Sequence, residues 1–339
     1  MTQTLTIGLS ANDGGPHTPE LLRAFVDARE WLGCTVDFVW MNDGREPVRA
    51  RKAAAHLSSC GVSIVVGHLS AAAAVAAAEI YAASDTVFIA PATSHPQINP
   101  GGWEGILRAF GTDERTARTM LAACLPGATP VVIEQRQAYG AALADALSFV
   151  IKDFGSAPVR IAPYFPPEAV SLPHDTSTLY VCGIHEFCID VIRAVRGNGF
   201  IGAVAVGDDC FTPNFLASGG ADVDGCFVAT QIVPGSANGK AGTLVRGEAI
   251  EGYYPTCLIA TTVALQAATR FPDLSGAALG RAIRAQDWLT PFGWIGFDRN
   301  GDLRGLRDAL FRVEGNCLVA QPMLNFVCQT DGAGMGASS

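Results

Sequence analysis

Two apolar segments of the sequence, VSIVVG and TVFIAPA, each lead into a short run of small polar residues. The first run contains Ser70 and Ala71, and the second contains Thr93 and Ser94. If both segments are parallel strands, their carboxyl ends meet at one edge of a sheet, where open α/β proteins bind ligands. Backbone N–H groups at a helix N-terminus donate hydrogen bonds to anions, so these residues predict a carboxylate site. Ser70 has a second interpretation, as a simple helix N-cap.

In the second half of the chain, two predicted strands are each followed by acidic or aromatic side chains. Asp208 and Asp209 come directly after AVAVG, and Tyr139 lies in the turn after TPVVIE. A carboxylate that faces a closing cleft is suited to an ammonium group, because the pair is strong once water is excluded. The alternative is that both aspartates are solvated loop acids or helix caps. Asp209 is the first choice as ammonium partner, and Asp208 is the second, since a shift of one residue would exchange the inward-facing side chain.

Two further motifs could hold a metal or a cofactor. Cys182, His185, Glu186 and Cys188 are zinc-type ligands, but no second ligand pair follows at the usual spacing, so no metal site is predicted. The segment GNGFIG, residues 197–202, matches a dinucleotide-binding pattern. It ends a helix and precedes a strand, which is the reverse of the required order, so no cofactor is predicted.

Short apolar segments alternate with amphipathic segments along most of the chain. Residues 18–32 place apolar side chains on one helical face, with Thr18 as the expected N-cap. A repeated strand–helix unit predicts parallel sheets covered by helices on both faces, which is an α/β fold. The 339 residues suffice for two domains of roughly 100–200 residues each. Two late helices are predicted, over residues 244–270 and 275–288.

Composition excludes some classes of partner. The formal charge of −9 comes without any basic patch for phosphate contacts, so no nucleic-acid binding is predicted. Polar residues interrupt the most apolar stretch, 62–83, so no transmembrane span is predicted. The start, MTQTLTIGLS, has the pattern of a strand rather than a signal peptide, and we expect either a cytoplasmic protein or one whose export signal was removed. The ten cysteines lie mostly in apolar segments, which predicts buried free thiols.

Four segments, taken in order, resemble the type I periplasmic binding proteins, specifically the leucine/isoleucine/valine-binding branch. They are IVVGHLSAAAA…IYAASDTVFIAPATSHPQIN, EQRQAYGAAL, VGDDC and GFDRNGDLRG. In that family they correspond to the first-lobe ligand segment, the "Tyr-Gly" helix start of the second lobe, the strand end with an acidic ligand residue, and a C-terminal hairpin. The resemblance extends from Leu5 to about Ala320.

The resemblance implies an α/β fold of two Rossmann-like lobes, with parallel sheets and three hinge crossovers, that closes on a ligand. Lobe one is expected to comprise residues 1–112 and 234–304, lobe two residues 113–233 and 305–322, and residues 323–339 a flexible tail. The implied ligand-binding residues are Ser70, Ala71, Thr93, Ser94, Tyr139, His185 and Asp209.

The resemblance also implies a role for each of these residues. Those of the first lobe would hold the ligand carboxylate, although the family's usual serine falls at Ala71, where only the backbone N–H remains. Tyr139 would close over the ligand, and Asp209 would pair with its α-ammonium. His185 falls near a family position that is often aromatic.

The implied function is capture of a small amino-acid-like or carboxylate ligand for a branched-chain amino-acid-type ABC transporter, whose permease would be the partner. An alternative is a cytoplasmic ligand sensor that acts on a regulatory protein, as in the amide-sensing relatives of this fold. The disulfide of exported relatives would join the positions of Arg45 and Ser70, and neither is cysteine, which favours a reducing compartment.

A remote alternative is a hydrolase on a doubly wound fold. The one set of residues suited to it is Cys210, beside Asp209, together with His185. The chain contains no G-x-S-x-G or H-E-x-x-H motif. A binding protein without catalytic residues, rather than an enzyme, is therefore the prediction.

Overall fold

The first sheet has five parallel strands. The computed structural model describes residues 6–124, 129–162, 170–236, 244–246 and 252–322. The strands are β1 (Thr6–Ala11), β2 (Asp37–Asn42), β3 (Ile64–Gly67), β4 (Val87–Ala90) and β5 (Ile106–Arg108), in the spatial order β2-β1-β3-β4-β5. Helices α1 (Thr18–Leu32), α2 (Pro47–Ser59) and α3 (Ala71–Ala82) connect consecutive strands. All described pairings in this sheet are parallel, so the loops at the carboxyl ends share one edge.

The second sheet combines a parallel part with an antiparallel edge. Its order is β11-β15-β14-β10-β9-β8-β6-β7. The parallel strands are β6 (Val131–Glu134), β7 (Val159–Ile161), β8 (Thr178–Cys182), β9 (Ala203–Val206) and β10 (Phe227–Ile232), and the antiparallel strands are β11 (Leu244–Arg246), β14 (Arg307–Glu314) and β15 (Cys317–Gln321). Helices α4 (Asp113–Ala123), α5 (Ala138–Asp153), α6 (His185–Gly197) and α7 (Pro213–Gly219) complete this lobe.

The chain returns to the first sheet through its later helices. Helices α8 (Tyr254–Arg270) and α9 (Gly276–Arg284) are followed by a small hairpin of β12 (Asp287–Thr290) and β13 (Gly293–Gly296). Leu258 and Ile283 on these helices share one buried apolar cluster with Leu21 of α1 and Ile7 of β1. The chain thus leaves the first lobe after β5, returns to it with α8, after β11, and leaves again before β14. The predicted α/β fold with two lobes is confirmed, and the exact lobe boundaries stay a prediction.

Close packing of β3 against β1 determines where the ligand-binding loops begin. Gly67, at the end of β3, has φ 148°, and a Cβ there would overlap the carbonyl oxygen of Ser10. Only glycine accommodates that approach. The next residue, His68, is held at φ 51° and donates its N–H to the same carbonyl at 2.6 Å. The chain therefore turns sharply before Ser70 and the start of α3.

Three local predictions were wrong. The late helix does not begin at Leu244, because residues 244–246 form β11, which pairs with β15 in the second sheet. The helix begins at Tyr254, after a left-handed Gly252 and with Pro255 in its first turn. The second late helix, α9, ends at Arg284 instead of residue 288, which belongs to β12. The N-cap of α1 is His17 rather than Thr18.

The remaining predictions about the chain concern cysteines and membrane spans. The nine described cysteines are free thiols, and six of them are buried. No helix within the described ranges combines the length and the apolar character needed to cross a membrane. Cys328 and the predicted flexible tail at 323–339 lie outside the described residues.

Candidate ligand-binding cleft

A cavity of about 320 Å³ lies between the two lobes, at the carboxyl ends of both sheets. The first lobe contributes the loops after β1, β2, β3 and β4, and the second lobe contributes those after β6, β8 and β9. The lining residues are Asn12, Gly15, Pro16, His17, Thr18, Asp43, Arg45, Leu69, Ser70, Ala71, Ala72, Ala92, Thr93, Ser94, Gln137, Ala138, Tyr139, Ile184, Asp208, Asp209 and Tyr253. This volume lies at the lower end of the range of ligand pockets, roughly 300–1,000 Å³.

The first-lobe wall is formed by the N-terminus of α3 and the loop after β4. Ser70 is the N-cap of α3, and its Oγ accepts from the N–H of Ala73 at 3.4 Å. Ala71 and Ala72 lie in the first turn, where helix N–H groups have no intrahelical acceptor. The Oγ1 of Thr93 is buried and has no hydrogen-bond partner among the described residues. Neutral donors and a helix dipole thus face the cavity here, which suits an anion.

A buried hydrogen-bond network fixes this wall from behind. His68 is fully buried, and its Nδ1 lies 3.0 Å from Asp43 Oδ2 while its Nε2 lies 3.0 Å from the Tyr81 hydroxyl. Asp43 Oδ1 also accepts the N–H of Arg45 at 2.9 Å. The network joins the loop after β2 to the loop after β3. It therefore positions Arg45 and Ser70 relative to one another.

The second-lobe wall carries two aspartates in different environments. Asp208 Oδ1 accepts from the Tyr139 hydroxyl at 2.8 Å, and Oδ2 accepts from the Tyr253 hydroxyl at 3.2 Å. Burial raises the pKa of Asp208 to about 6, the negative charge of Asp209 adds to the shift, and the hydrogen bonds from the two tyrosines oppose it. Both carboxyl oxygens of Asp208 are therefore engaged within the protein.

Asp209 is engaged through one oxygen only. Its Oδ2 accepts from the backbone N–H of His185 at 2.7 Å and lies 3.0 Å from the ring Nδ1 of the same residue. Burial raises the pKa of Asp209, but the hydrogen bonds from His185 and the charges of His17 and His185 outweigh burial, so the net pKa lies below its usual value. Among the described residues, Oδ1 has no hydrogen-bond partner. Asp209 is thus ionised at neutral pH and offers an acceptor to the cavity.

The structure brings six of the seven predicted site residues to the cavity wall and places the seventh behind it. Ser70, Ala71, Thr93, Ser94, Tyr139 and Asp209 all line the cavity. His185 is buried at the N-terminus of α6 and contacts Asp209 instead. Its ring and backbone N–H are both directed at the Asp209 carboxylate, so it supports Asp209, and its role beside a ligand stays a prediction.

Sequence reasoning did not select several lining residues. His17 and Asn12 lie in the loop after β1, and the strand-end rule applied to the first strand would have found them. His17 contacts Glu20 at 3.4 Å and stacks edge-on against Tyr253 at 4.7 Å between ring centroids. Tyr253 lies beyond β10 in the chain, and only the return of α8 to the first lobe brings it to the cavity. No local pattern identifies it.

The charge on His17 depends on its carboxylate neighbours. Burial lowers the pKa of His17, but the hydrogen bond to Glu20 and the negative charges of Glu20 and Asp209 outweigh burial. The net pKa lies above its usual value, although the Arg45 charge opposes the rise. A raised pKa keeps His17 protonated over a wider pH range. A protonated His17 is therefore paired with Glu20 on the side of the β1 and β2 loops, where Arg45 also lines the cavity.

Asp113 forms the junction between the first-lobe wall and α4. It is buried, its backbone N–H donates to the Ser94 carbonyl at 3.2 Å, and neither carboxyl oxygen has a hydrogen-bond partner in the described part of the chain. Burial raises its pKa to about 7, and the nearby Ser94 side chain and Arg108 charge only partly counteract that rise. Asp113 thus places a titrating group directly behind Ser94.

The structure also shows the surroundings of the residues considered for a metal site and for a hydrolase. The ligand atoms of His185, Glu186 and Asp209 lie within 4.8 Å of one another. The hydrogen bonds between His185 and Asp209 already account for this cluster as the cap of α6. Cys210, the nucleophile of the hydrolase alternative, is fully buried in the second-lobe core, and burial raises the pKa of its thiol well above the usual value. Such a thiol is a poor nucleophile.

Two α/β lobes around a cleft of ligand size define a two-lobed solute-binding protein. A family model described as "Periplasmic binding protein" matches residues 4–312, and the chain belongs to that family. The resemblance to the type I periplasmic binding proteins is therefore confirmed. A curated relative from Pseudomonas aeruginosa, a leucine-, isoleucine-, valine-, threonine- and alanine-binding protein, is 23% identical over 80% of this chain and 77% of its own length.

Solved structures share the fold at low sequence identity. A leucine-binding protein from Thermotoga maritima superimposes with a TM-score of 0.80 and 19% identity, covering 95% of this chain and 99% of that chain. A branched-chain amino acid transporter substrate-binding protein from Streptococcus pneumoniae, in complex with isoleucine, has a TM-score of 0.72 and 13% identity over 94% of this chain and 100% of that chain. These three proteins are thus amino-acid-binding proteins by name, and the one from Streptococcus pneumoniae is a transporter substrate-binding protein.

Proposed function

We propose that this chain binds an α-amino acid between its lobes and delivers it to an ABC transporter permease. The observation that carries the proposal is the opposition of two unlike walls across one cavity. Neutral N–H and hydroxyl donors line the first-lobe wall, and the buried Asp208 and the partly buried Asp209 line the second-lobe wall. An α-amino acid carries a negative and a positive group on one carbon, and each group matches one wall.

The carboxylate end of the ligand would lie at the N-terminus of α3. The N–H groups of Ala71 and Ala72 point out of the first helical turn, and hydrogen bonds to a charged acceptor are worth about 1.5–3 kcal/mol each. Thr93, whose buried hydroxyl lacks a partner in the described structure, and Ser94 would supply side-chain donors. Ser70 would act mainly as the cap that holds α3 in place.

The ammonium end would lie against Asp209. Oδ1 of this residue faces the cavity side without a protein partner among the described residues, whereas both oxygens of Asp208 accept hydrogen bonds from tyrosines. His185 would hold Asp209 in position and keep it ionised. Tyr139, tied to Asp208 through its hydroxyl, would cover the ligand from the second lobe.

Binding of this kind requires the lobes to move. The chain passes between the two sheets several times, and hinge closure around a ligand is a standard motion of two-lobed binding proteins. Closure would bring Asp209 towards the carboxylate site at the N-terminus of α3 and exclude water from both binding groups. The transporter role rests on the names of the relatives, which include a branched-chain amino acid transporter substrate-binding protein.

The proposal is tested by calorimetry with a matched set of small molecules. The set contains free amino acids, the same compounds with the carboxylate amidated, and the same compounds with the amine replaced by hydrogen. We expect only the free amino acids to bind tightly, and a ligand at 100 times its Kd to stabilise the fold by about 2.7 kcal/mol in thermal unfolding. Equal binding of the compounds without an amine would contradict the proposal. Uptake by membranes that contain the partner permease tests the transporter role separately.

A further inference from the structure

We propose that the side chain of the bound amino acid carries a second anionic group, which pairs with Arg45 at the β2 end of the cavity. The inference rests on the proposed function and extends it, because it names the class of amino acid. It is carried by three observations: the placement of Arg45, the pairing of the other charged residues in the cavity wall, and the order of strands in the first sheet.

Arg45 is positioned by the buried network of the first lobe. It lines the cavity from the loop after β2 and has φ 57°, in the left-handed region that non-glycine residues rarely adopt. Its N–H donates to Asp43 Oδ1 at 2.9 Å, and Asp43 is itself bonded to the buried His68. The described structure has one other non-glycine residue at positive φ, which is His68 in the same network. The loop therefore fixes the backbone at Arg45, from which the exposed side chain extends at the cavity wall.

The other fully charged residues in the cavity wall already have partners. Asp43 pairs with His68, and Asp208 accepts from two tyrosine hydroxyls. Asp209 is bonded to His185 and offers its remaining oxygen to the ligand ammonium. Arg45 has no carboxylate within ion-pair distance in the described part of the chain, although its side chain is exposed at the cavity. One positive charge at the cavity thus remains unmatched by the protein.

The strand order places Arg45 to one side of the carboxylate site. At this edge of the sheet the order is β2-β1-β3-β4, so the loop after β2, which carries Arg45, and the N-terminus of α3, which follows β3, lie on either side of the end of β1. An amino acid whose α-carboxylate lies at the N-terminus of α3 can therefore extend its side chain towards Arg45.

His17 adds a second donor on the same side. It lies in the loop after β1, the strand between β2 and β3, and so falls between Arg45 and the carboxylate site. Its ring is held by Glu20 and Tyr253. Protonated His17 is paired with Glu20, so it adds a ring donor beside the proposed side-chain group while the unpaired charge on this side is that of Arg45.

The test is a comparison of ligands that differ only in side-chain charge. The wild-type protein is titrated with L-glutamate, L-glutamine, L-leucine and O-phospho-L-serine. We expect glutamate to bind at least about tenfold more tightly than glutamine, a difference of about 1.4 kcal/mol. The phosphoserine titration distinguishes a carboxylate-specific site from one that accepts any anionic side chain.

A variant that removes the Arg45 charge, together with a matched control, tests whether Arg45 causes the preference for glutamate. In Arg45→Gln we expect the preference for glutamate over glutamine to fall below about threefold, because the pairing charge is lost. Arg49→Gln is the control: Arg49 is exposed, pairs with Glu46 at 3.6 Å and does not line the cavity, so its preference should match the wild type. If Arg45→Gln does not fold, the wild-type protein suffices, since added salt should weaken glutamate binding more than glutamine binding.

The outcomes separate this inference from the proposed function. Tight binding of leucine with no binding of glutamate overturns the role of Arg45 and leaves amino-acid binding intact. An unchanged preference for glutamate in a folded Arg45→Gln variant also overturns it. If the folded wild type binds no amino acid of any side chain, the proposed function itself fails.

Discussion

The two walls of the cleft recognise charge by different physical means. The first-lobe wall uses backbone N–H groups of α3 and neutral hydroxyls, which are held by secondary structure and cannot titrate. The second-lobe wall uses the carboxylates of Asp208 and Asp209, which are held by side chains of Tyr139, Tyr253 and His185. The donors of the first wall are therefore insensitive to most side-chain substitutions and do not titrate, and the titrating group nearest to them is Asp113 behind Ser94. The second wall depends directly on side chains and on their ionisation.

This difference predicts different contributions of the two lobes to affinity and to specificity. A helix N-terminus offers partial charge without a desolvation cost for a buried ion. A buried carboxylate costs free energy in the empty site and recovers it only when a cation arrives. We therefore expect the first lobe to hold many carboxylates with modest affinity, and the second lobe to select those that also carry an amine.

The largest expected effect is on the second wall. Asp209→Asn should weaken amino-acid binding by about 2–5 kcal/mol, or thirtyfold and more, because the ammonium would be desolvated without a counter-charge. Calorimetry with the wild-type ligand measures the loss. Asp222→Asn serves as the control, since Asp222 pairs with Arg193 outside the cavity. A greater loss in Asp208→Asn than in Asp209→Asn would transfer the ammonium contact to Asp208.

The next effect tests whether the first wall acts through its backbone. Ala71→Pro removes one N–H from the first position of α3, where proline fits a helix, and Ser70 before it is already extended at φ −117° and ψ 143°. We expect affinity to fall by about 1.5–3 kcal/mol, or roughly ten- to a hundredfold. Ala71→Ser keeps the N–H and should bind as the wild type does. Equal affinity of the proline and serine variants would show that this N–H does not contact the ligand.

The third prediction separates the walls by their pH dependence. The pKa of Asp208 is raised to about 6, so its carboxyl is protonated below that pH and ionised above it. Amino-acid affinity should therefore rise as the pH increases through about 6, by at most about tenfold per pH unit for one linked proton. Asp208→Asn should remove the rise near pH 6, and the double variant with Asp113→Asn accounts for the contribution of Asp113, whose pKa is about 7. A wild-type profile that is already flat would mean that Asp208 does not titrate within this range.

The smallest effect concerns the cap of α3. Ser70→Ala removes the hydrogen bond from the N–H of Ala73 to Ser70 Oγ, and the long distance of 3.4 Å places the loss at the lower end of the range for N-caps. We expect a decrease of about 0.5–1 kcal/mol in the free energy of unfolding. Ligand affinity should change little, because the N–H groups of the first turn remain. A large loss of affinity without a loss of stability would instead make the Ser70 hydroxyl a ligand contact.

The sequence by itself determined the repeating units of the fold and the loops that line most of the cleft. Helix α1 was predicted with its correct end at Leu32 and with its N-cap one residue late, and α3 was predicted to begin near Ala71, because apolar periodicity and caps are local properties. The strand-end rule then located Thr93, Ser94, Tyr139 and Asp209 at the cavity, since parallel strands present their carboxyl ends at one edge.

Only the tertiary structure decided which groups meet in space. The pairing of Leu244–Arg246 with β15, the arrival of Tyr253 at Asp208 and the turning of His185 towards Asp209 all join segments that are distant in the sequence. Periodicity within a window carries no information about such contacts. The same holds for the Asp43–His68–Tyr81 network, whose polar groups can be buried because they hydrogen-bond to one another across three separate segments.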